Sequence, residues 1–494
     1  MGVIIKESLR QTIVMGSISI LGIISTIFFY PKDMNVYGIL AYVLNTAGLF
    51  LPLVVFGIGA AGIRFFPSVE KTKEAQVSYF LKLGGILLVT SCIFILFFYT
   101  FDEALLEFSR NPDKDFSKYF YYILPAALLY GVNAFLSTYL TNYKISALPK
   151  GMQAGYKVFI PIVFLLVIFN KIEVDVGIYI LFGVLGVAFL GLLMLAIFKL
   201  NSFPKVNTIE RKNLFNKPFF QFYFWTFLSS LGFSVTSQID GYMLSNLLDF
   251  KSSGGYNMAV NMCVAMTFPI MSVISIASPI ISEAWKEDNR EEIKDIYYKG
   301  SRNLLFIGSA ILFSLLLFND VLQYSIEEWD VLRHLKVVII ILGIGKLIDM
   351  VSSVNGVIIN YSPWYRYTSL FILFLIVMNV SLNYMLIPIM GLNGAAIATA
   401  STLVVFNFLK TMLIWKKLKM NPFDSQTMMY LLSIAAILGI ILWLDYKTSD
   451  IVSFFVSMIL SLGFTAWVLF KTDYAHDTRK NILKLISAFA NKLK

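Results

Sequence analysis

The chain has 494 residues, of which 58% are hydrophobic, 16% aromatic and only 14% charged, with a formal net charge of +10. Soluble domains carry about 25% charged residues, so this composition argues against a soluble enzyme and points to an all-α polytopic membrane protein. Cys92 and Cys263 both lie in apolar runs, and His334 and His476 are too few for a histidine metal site, so neither a disulfide framework nor a metal centre is expected.

About 20 apolar residues cross a bilayer as a helix. In chain order, such runs lie near 11–30, 37–60, 78–100, 118–142, 155–170, 177–198, 219–245, 254–281, 300–319, 335–359, 367–387, 394–415, 427–446 and 450–470, which predicts about 14 transmembrane helices. The first run lacks a small-x-small cleavage site and reads as a span rather than a signal peptide. The seventh and eighth are the least sharply bounded.

Most of the 40 Lys and Arg fall in one alternating set of connections, among them Lys6 and Arg10, Arg64, Lys71 and Lys73, and Lys286 to Arg302. By the positive-inside bias that set is cytoplasmic, and so are both termini. The other set, including Lys32, Arg110, Lys114, Arg333, Lys336 and Lys447, is sparse and faces outward. Lys410 counts here among the basic residues of an inside connection. The net charge is therefore mainly a topology signal. Basic residues so dispersed give no nucleic-acid surface.

The segment 201–218, polar, basic and bounded by Pro204 and Pro218, divides the chain. The expected organisation is an N-lobe over 1–200 with six helices, the linker 201–218, a C-lobe over 219–420 with six more, two extra helices over 421–470, and a tail over 471–494. Spans five and eleven each follow a basic, Pro-containing approach and lead through a short turn into a small-residue return. They lie six spans apart, an even number, so the two lobes would share one topology about an axis along the membrane normal, a parallel pseudo-two-fold repeat. In the tail, Ile482, Ile486, Phe489 and Leu493 form one stripe with Lys484 and Lys492 off it, the pattern of a basic amphipathic helix on the membrane surface.

Residues 386–404, "LIPIMGLNGAAIATASTLV", switch abruptly to small side chains. Apolar burial cannot drive helices together inside lipid. Small residues let backbones approach instead, and Gly391–Ala395, Gly394–Ala398 and Ala396–Ala400 have that spacing. Static close packing and a sliding surface both fit.

This stretch, together with "SQIDGYMLSNLLDFKSSGGYNMAVNMCVAMTFPIMSVISIASPIISEAW" and "VFGIGAAGIRFFPS", resembles the Wzx-type polysaccharide-biosynthesis (O-antigen) flippases of the multidrug/oligosaccharidyl-lipid/polysaccharide exporter superfamily. The resemblance implies two six-helix lobes in a MATE-like V around a central cavity, plus two extra helices. It implies transport of an undecaprenyl-pyrophosphate-linked oligosaccharide, an O-antigen or other lipopolysaccharide precursor, from the inner to the outer leaflet of a bacterial cytoplasmic membrane. No enzyme activity or resident cofactor is expected. H⁺ or Na⁺ is the coupling ion to test. The partners are the lipid-linked substrate, the bilayer, and polysaccharide polymerase with other assembly proteins. A lipid II flippase or a drug/cation antiporter of the same fold are the alternatives, with a membrane polysaccharide polymerase less consistent because no sizeable polar loop exists.

Intramembrane charges are costly and each asks for a reason. Lys346 and Asp349 share a helix face at i,i+3. They are either a mutually neutralised pair or cavity residues, with Lys346 facing a phosphate. Asp240 is either interfacial or a cavity carboxylate for ion coupling, a role also open to Asp349. Arg10 and Arg64 are positive-inside anchors or, by the resemblance, pyrophosphate ligands at the inner ends of spans one and two. Asn45, Asn133 and Asn261 contact neighbouring helices or sugar.

Overall fold

The computed structural model describes residues 2–69, 72–200, 217–322, 329–447, 450–472, 474 and 479. The linker residues 201–216 and the amphipathic stripe at 482–493 lie outside the described residues. The helices in chain order are α1 (Gly2–Phe28), α2 (Met34–Val55), α3 (Ile58–Arg64), α4 (Lys73–Glu107), α5 (Phe116–Tyr121), α6 (Ile123–Leu140), α7 (Ala147–Ala154), α8 (Tyr156–Ile168), α9 (Val174–Leu200), α10 (Lys217–Leu247), α11 (Phe250–Cys263), α12 (Thr267–Lys286), α13 (Arg290–Leu322), α14 (Trp329–Ser352), α15 (Asn355–Tyr361), α16 (Arg366–Met390), α17 (Leu392–Leu418), α18 (Ser425–Lys447) and α19 (Asp450–Lys471). Among the described residues there is no strand.

Twelve described segments are long and apolar enough to cross a membrane, or up to thirteen when Leu335–Ser352 and Asn355–Tyr361, bent by 45°, form one span. Each coincides with an expected span. The seventh expected span is α10, which at 31 residues is long enough but is not among the apolar helices. Ser229, Ser230, Ser234, Thr236, Ser237, Gln238 and Asp240 lower its hydropathy.

The chain forms two compact units. One comprises Met1–Met258 with Val380–Ala395, the other Ala259–Asn379 with Ala396–Lys494. The division passes through α11, α16 and α17.

In the first unit α2 and α6 are the most enclosed spans, and α2 packs against both α6 and α10. Asp33 starts α2 by accepting the N–H groups of Asn35 and Val36, both at 3.0 Å. The helix ends at Phe56 and Gly57, both left-handed, with φ of 46° and +80°. Gly57 has a second reason to be glycine: a Cβ there would lie 2.6 Å from the Tyr223 carbonyl of α10. Nearer the start of α2, a Cβ on Gly38 would lie 1.8 Å from the Phe250 carbonyl, and one on Gly254 would lie 2.2 Å from the Met34 carbonyl. The two backbones touch, as small residues allow in lipid. The loop after α4 closes the far end of α10. Ser109 Oγ and Arg110 N donate to the Asn246 carbonyl at 3.2 and 2.6 Å, and Asn111 Nδ2 donates to the Ser245 carbonyl at 2.5 Å. These are carbonyls that a helix end leaves without an internal donor.

The second unit is built on α13, which packs against α12, α14 and α19. Ala277, Ile281, Ile293, Tyr297, Val354 and Ile358 form a core between α12, α13 and α15. A Cβ on Gly345 would lie 2.9 Å from the Ala400 Cα, so the small-residue stretch of α17 does serve a close backbone approach. At the α16–α17 turn Gly391 is left-handed at φ +59°, and a Cβ on Gly394 would lie 2.3 Å from the Leu386 carbonyl. Only glycine accommodates that reversal.

Three side chains expected near connections are interior. Lys336 is 5% exposed, Asp320 5% and Lys410 7%. Lys336 Nζ lies 2.8 Å from Asp320 Oδ1 and 2.7 Å from Asp445 Oδ2, which joins α13, α14 and α18. Ser453 of α19 donates to Asp445 as well. At the opposite end of α18, Asp424 accepts the Thr427 N–H at 2.8 Å as an N-cap and pairs with Arg302 of α13. Helix α18 is therefore held by charge at both ends, to α13 through Arg302 and to α14 through Lys336.

Candidate functional site

The first unit contains a cavity of about 420 Å³ bounded by α2, α3, α6, α7, α8 and α10. Its wall on α2 is opened by Pro52, which has no N–H and so leaves the Gly48 carbonyl without its usual helical donor; both residues line the space. On α10, Ser230, Ser234, Ser237 and Gln238 recur at helical spacing and face it. The polarity that weakens α10 as a span thus lines the cavity. Asn133 of α6 lines the space as well, as does Gln153 of α7. Tyr130 and Tyr156 add an aromatic wall, with ring centroids 4.9 Å apart. Among the described residues no charged side chain lines it.

Asn133 donates both amide protons, to the Leu129 carbonyl at 2.8 Å and the Leu185 carbonyl at 3.1 Å. Its Oδ1 is buried without a hydrogen-bond partner among the described residues, so Asn133 is a helix contact within the cavity wall. Asn45 is a helix contact: its Nδ2 donates to Asn257 Oδ1 at 3.0 Å, and Asn257 in turn donates to the Ser253 carbonyl at 2.8 Å. Asn261 is half-buried on the part of α11 belonging to the second unit.

Asp240 is buried within the protein. It is 6% exposed, and Tyr256 Oη donates to Oδ2 at 2.6 Å while Asn383 Nδ2 donates to Oδ1 at 2.8 Å. Both donors are neutral, so this carboxylate is held by hydrogen bonds in a medium where a bare charge is expensive.

The expected basic residues do not meet in the cavity. Arg10 is exposed and pairs with Glu7 at 2.8 Å. Glu7 also accepts the N–H groups of Ser146 and Ala147, at 3.4 Å each. The Arg10 hydrogen bond, followed by that of Ser146, holds the Glu7 carboxyl below the usual carboxylate range. Arg64, at the end of α3, is exposed with its guanidinium carbon 4.2 Å from the Phe222 ring centroid, a cation–π contact. The first turn of α3 lines the cavity, but Arg64 does not.

In the second unit Lys346 and Asp349 share a helix without pairing. Asp349 Oδ1 accepts from Asn407 Nδ2 at 3.0 Å, and Asn407 Oδ1 accepts from Asn355 Nδ2 at 3.3 Å. Asp349 also attracts Lys410, whose ammonium sits 4.1 Å from the Phe406 ring centroid. The i,i+3 spacing put two charges on one face, but a carboxylate in lipid takes whichever partner the packing brings. That partner is α17. The spacing of Asn407 and Lys410, also i,i+3, was the available signal. Lys346 is half-buried. Among the described residues no cluster of His, Cys, Asp and Glu suited to a metal ion occurs.

A search of curated protein sequences finds no match. Solved structures match over nearly the whole fold. The lipid II flippase MurJ, in an inward closed conformation, aligns at a TM-score of 0.69 and 15% identity, over 94% of this chain and 99% of its own. A multidrug resistance MATE family transporter of the MOP superfamily, inward-facing, aligns at 0.60 and 12%, over 81% and 98%. A MOP superfamily transporter from Pyrococcus furiosus aligns at 0.53 and 12%, over 84% and 95%. At these identities the likeness establishes the fold, that of the MOP flippases and transporters. The family described as "Polysaccharide biosynthesis protein" matches residues 33–285, more than half of the chain. This membrane protein therefore belongs to the polysaccharide biosynthesis protein family.

Proposed function

We propose that the protein is a flippase that carries a lipid-linked polysaccharide precursor, an O-antigen or related glycan on undecaprenyl pyrophosphate, from the inner to the outer leaflet. The observation that carries this reading is an uncharged, hydrogen-bonding cavity within a membrane protein of this family. A glycan needs polar contacts that lipid cannot give, and the polyprenyl tail needs only lipid. Arg64 and Lys346 are the cations proposed to meet the pyrophosphate. Arg10 is already engaged by Glu7 and joins them only by exchanging that partner. Outward movement of each negative charge across the full field gains about 2.3 kcal/mol per 100 mV with the interior negative, which favours export. Asp240 is the proposed proton- or Na⁺-coupling carboxylate, since its two neutral donors suit either ionic form. The reading includes a bacterial cytoplasmic membrane with both termini in the cytoplasm, the latter supported by the charge bias of the connections.

The test is flipping by the full chain in proteoliposomes carrying a fluorescent undecaprenyl-pyrophosphate oligosaccharide, with lipid II and a cationic drug as competing substrates. Transfer of the oligosaccharide lipid supports the proposal. Transfer of lipid II alone assigns the protein to peptidoglycan export, and drug transport alone to antiport.

A further inference from the structure

We infer that the cavity of the first unit reads the glycan and accepts an uncharged sugar while rejecting an acidic one; this rests on the flippase reading for what the ligand is attached to. Among the described residues its wall carries no side chain of either sign. A carboxylate moved into such a space loses its water without gaining a cation, a cost that its neutral counterpart escapes. The wall also offers the right complement for hydroxyl groups, each of which is donor and acceptor. Asn133 spends both of its amide protons on the Leu129 and Leu185 carbonyls and so fixes this part of the wall. Pro52 has no N–H to give the Gly48 carbonyl, and both residues line the space. Gln153 and Gln238, both half-buried at the wall, supply amide donors. The Tyr130 and Tyr156 rings supply an apolar face against which the C–H face of a sugar ring packs. At about 420 Å³ the space is within the range of small-molecule sites. It takes part of a glycan rather than a whole oligosaccharide.

Two consequences separate this from general polarity. The sugar is chosen by hydroxyls that pair with Gln153 and Gln238, so a precursor deoxygenated at such a position leaves a polar group of the wall unmatched and is transported about ten- to a hundredfold less well. A cation placed in the wall should admit the excluded class. The experiment uses the full chain in proteoliposomes and two undecaprenyl-pyrophosphate disaccharides, one of neutral hexoses and one with a hexose replaced by a hexuronic acid. Wild type should flip the neutral precursor at least tenfold faster. Gln238→Lys should narrow or reverse that ratio, and Gln153→Lys should do the same from another helix should the first variant fail to fold. If wild type flips neither precursor, the flippase reading fails. If it flips both equally, or if folded Lys variants change both rates by the same factor, the flippase reading stands and the cavity does not read charge.

Discussion

Lys336 should be among the most sensitive positions for stability. Its ammonium sits between Asp320 and Asp445 at 2.8 and 2.7 Å, with side-chain exposures of 6% for Lys336, 7% for Asp320 and 26% for Asp445. Lys336→Met keeps the aliphatic stem and removes the charge. The buried Asp320 then loses its cation and faces a second carboxylate that bound the same nitrogen. Removing one member of a buried ion set costs about 3–5 kcal/mol, because the remaining charge is left uncompensated in a low-dielectric interior. Asp445→Asn should cost less, about 1.5–3 kcal/mol for a lost charge-assisted hydrogen bond, since Asp445 is partly exposed and Lys336 keeps Asp320. The triple change Lys336→Met, Asp320→Leu and Asp445→Leu should recover to within about 1 kcal/mol of wild type, as apolar residues replace internal ion sets with little loss. The assay is equilibrium unfolding in mixed micelles, with a fluorophore on α18 to follow its release. A single Lys336→Met variant as stable as wild type would refute the argument, and so would a triple variant no more stable than the single one.

Asp424 should make the attachment of α18 sensitive to acid. Burial pushes its carboxyl up, but the Thr427 N–H and the Arg302 guanidinium outweigh this and hold it below the ordinary 3.8. Its contribution is therefore complete above that value and disappears as pH falls through the lower folded-state value; Asp424→Asn should be less stable at pH 7 and flatter between pH 5 and 3 in thermal melts. Single cysteines at Asp113 and Glu287, in a background lacking Cys92 and Cys263, should label oppositely with an impermeant reagent, Asp113→Cys reacting from outside; the reverse result overturns the orientation. Lys346→Ala should slow flipping more than Lys346→Arg at equal protein level. Asp349→Leu should destabilise more than Lys346→Leu in micelle unfolding, because it strips Asn407 and Lys410 of their acceptor; equal effects would show that Lys346 is the true partner.

Much of the span architecture was legible because lipid imposes it: a helix crossing a bilayer must be apolar for a fixed length, and that length shows in the sequence. The partners of the polar residues were not. Asn45 meets Asn257, 212 positions away, and Asp240 meets Asn383, 143 away. No local period encodes such a contact. Lys336 and Lys410 were read as connection residues for a related reason. Each lies near the end of an apolar run, where a snorkelling lysine and a buried, paired lysine give the same pattern. Only the position of Asp320, Asp445 and Asp349 on other helices distinguishes them. Asp240 was ambiguous in the same way, because its donors Tyr256 and Asn383 lie on other helices.

The weakest apolar signal in the chain was itself informative. Helix α10 falls short as a span by hydropathy because Ser230, Ser234, Ser237 and Gln238 interrupt it, and those side chains line the cavity. A helix that touches lipid on all sides cannot carry such a stripe, since each hydroxyl would need its own backbone to satisfy it. Ser230 and Ser237 do bond back to the Phe227 and Phe233 carbonyls, at 2.8 and 2.7 Å. That uses their protons and leaves their oxygen lone pairs as acceptors. Nearer the start of the same helix Phe220, Phe224 and Trp225 are exposed, apolar side chains of the kind that lipid takes. On the flippase reading proposed above, the helix's departure from apolarity marks the side on which a glycan's hydroxyl groups are met.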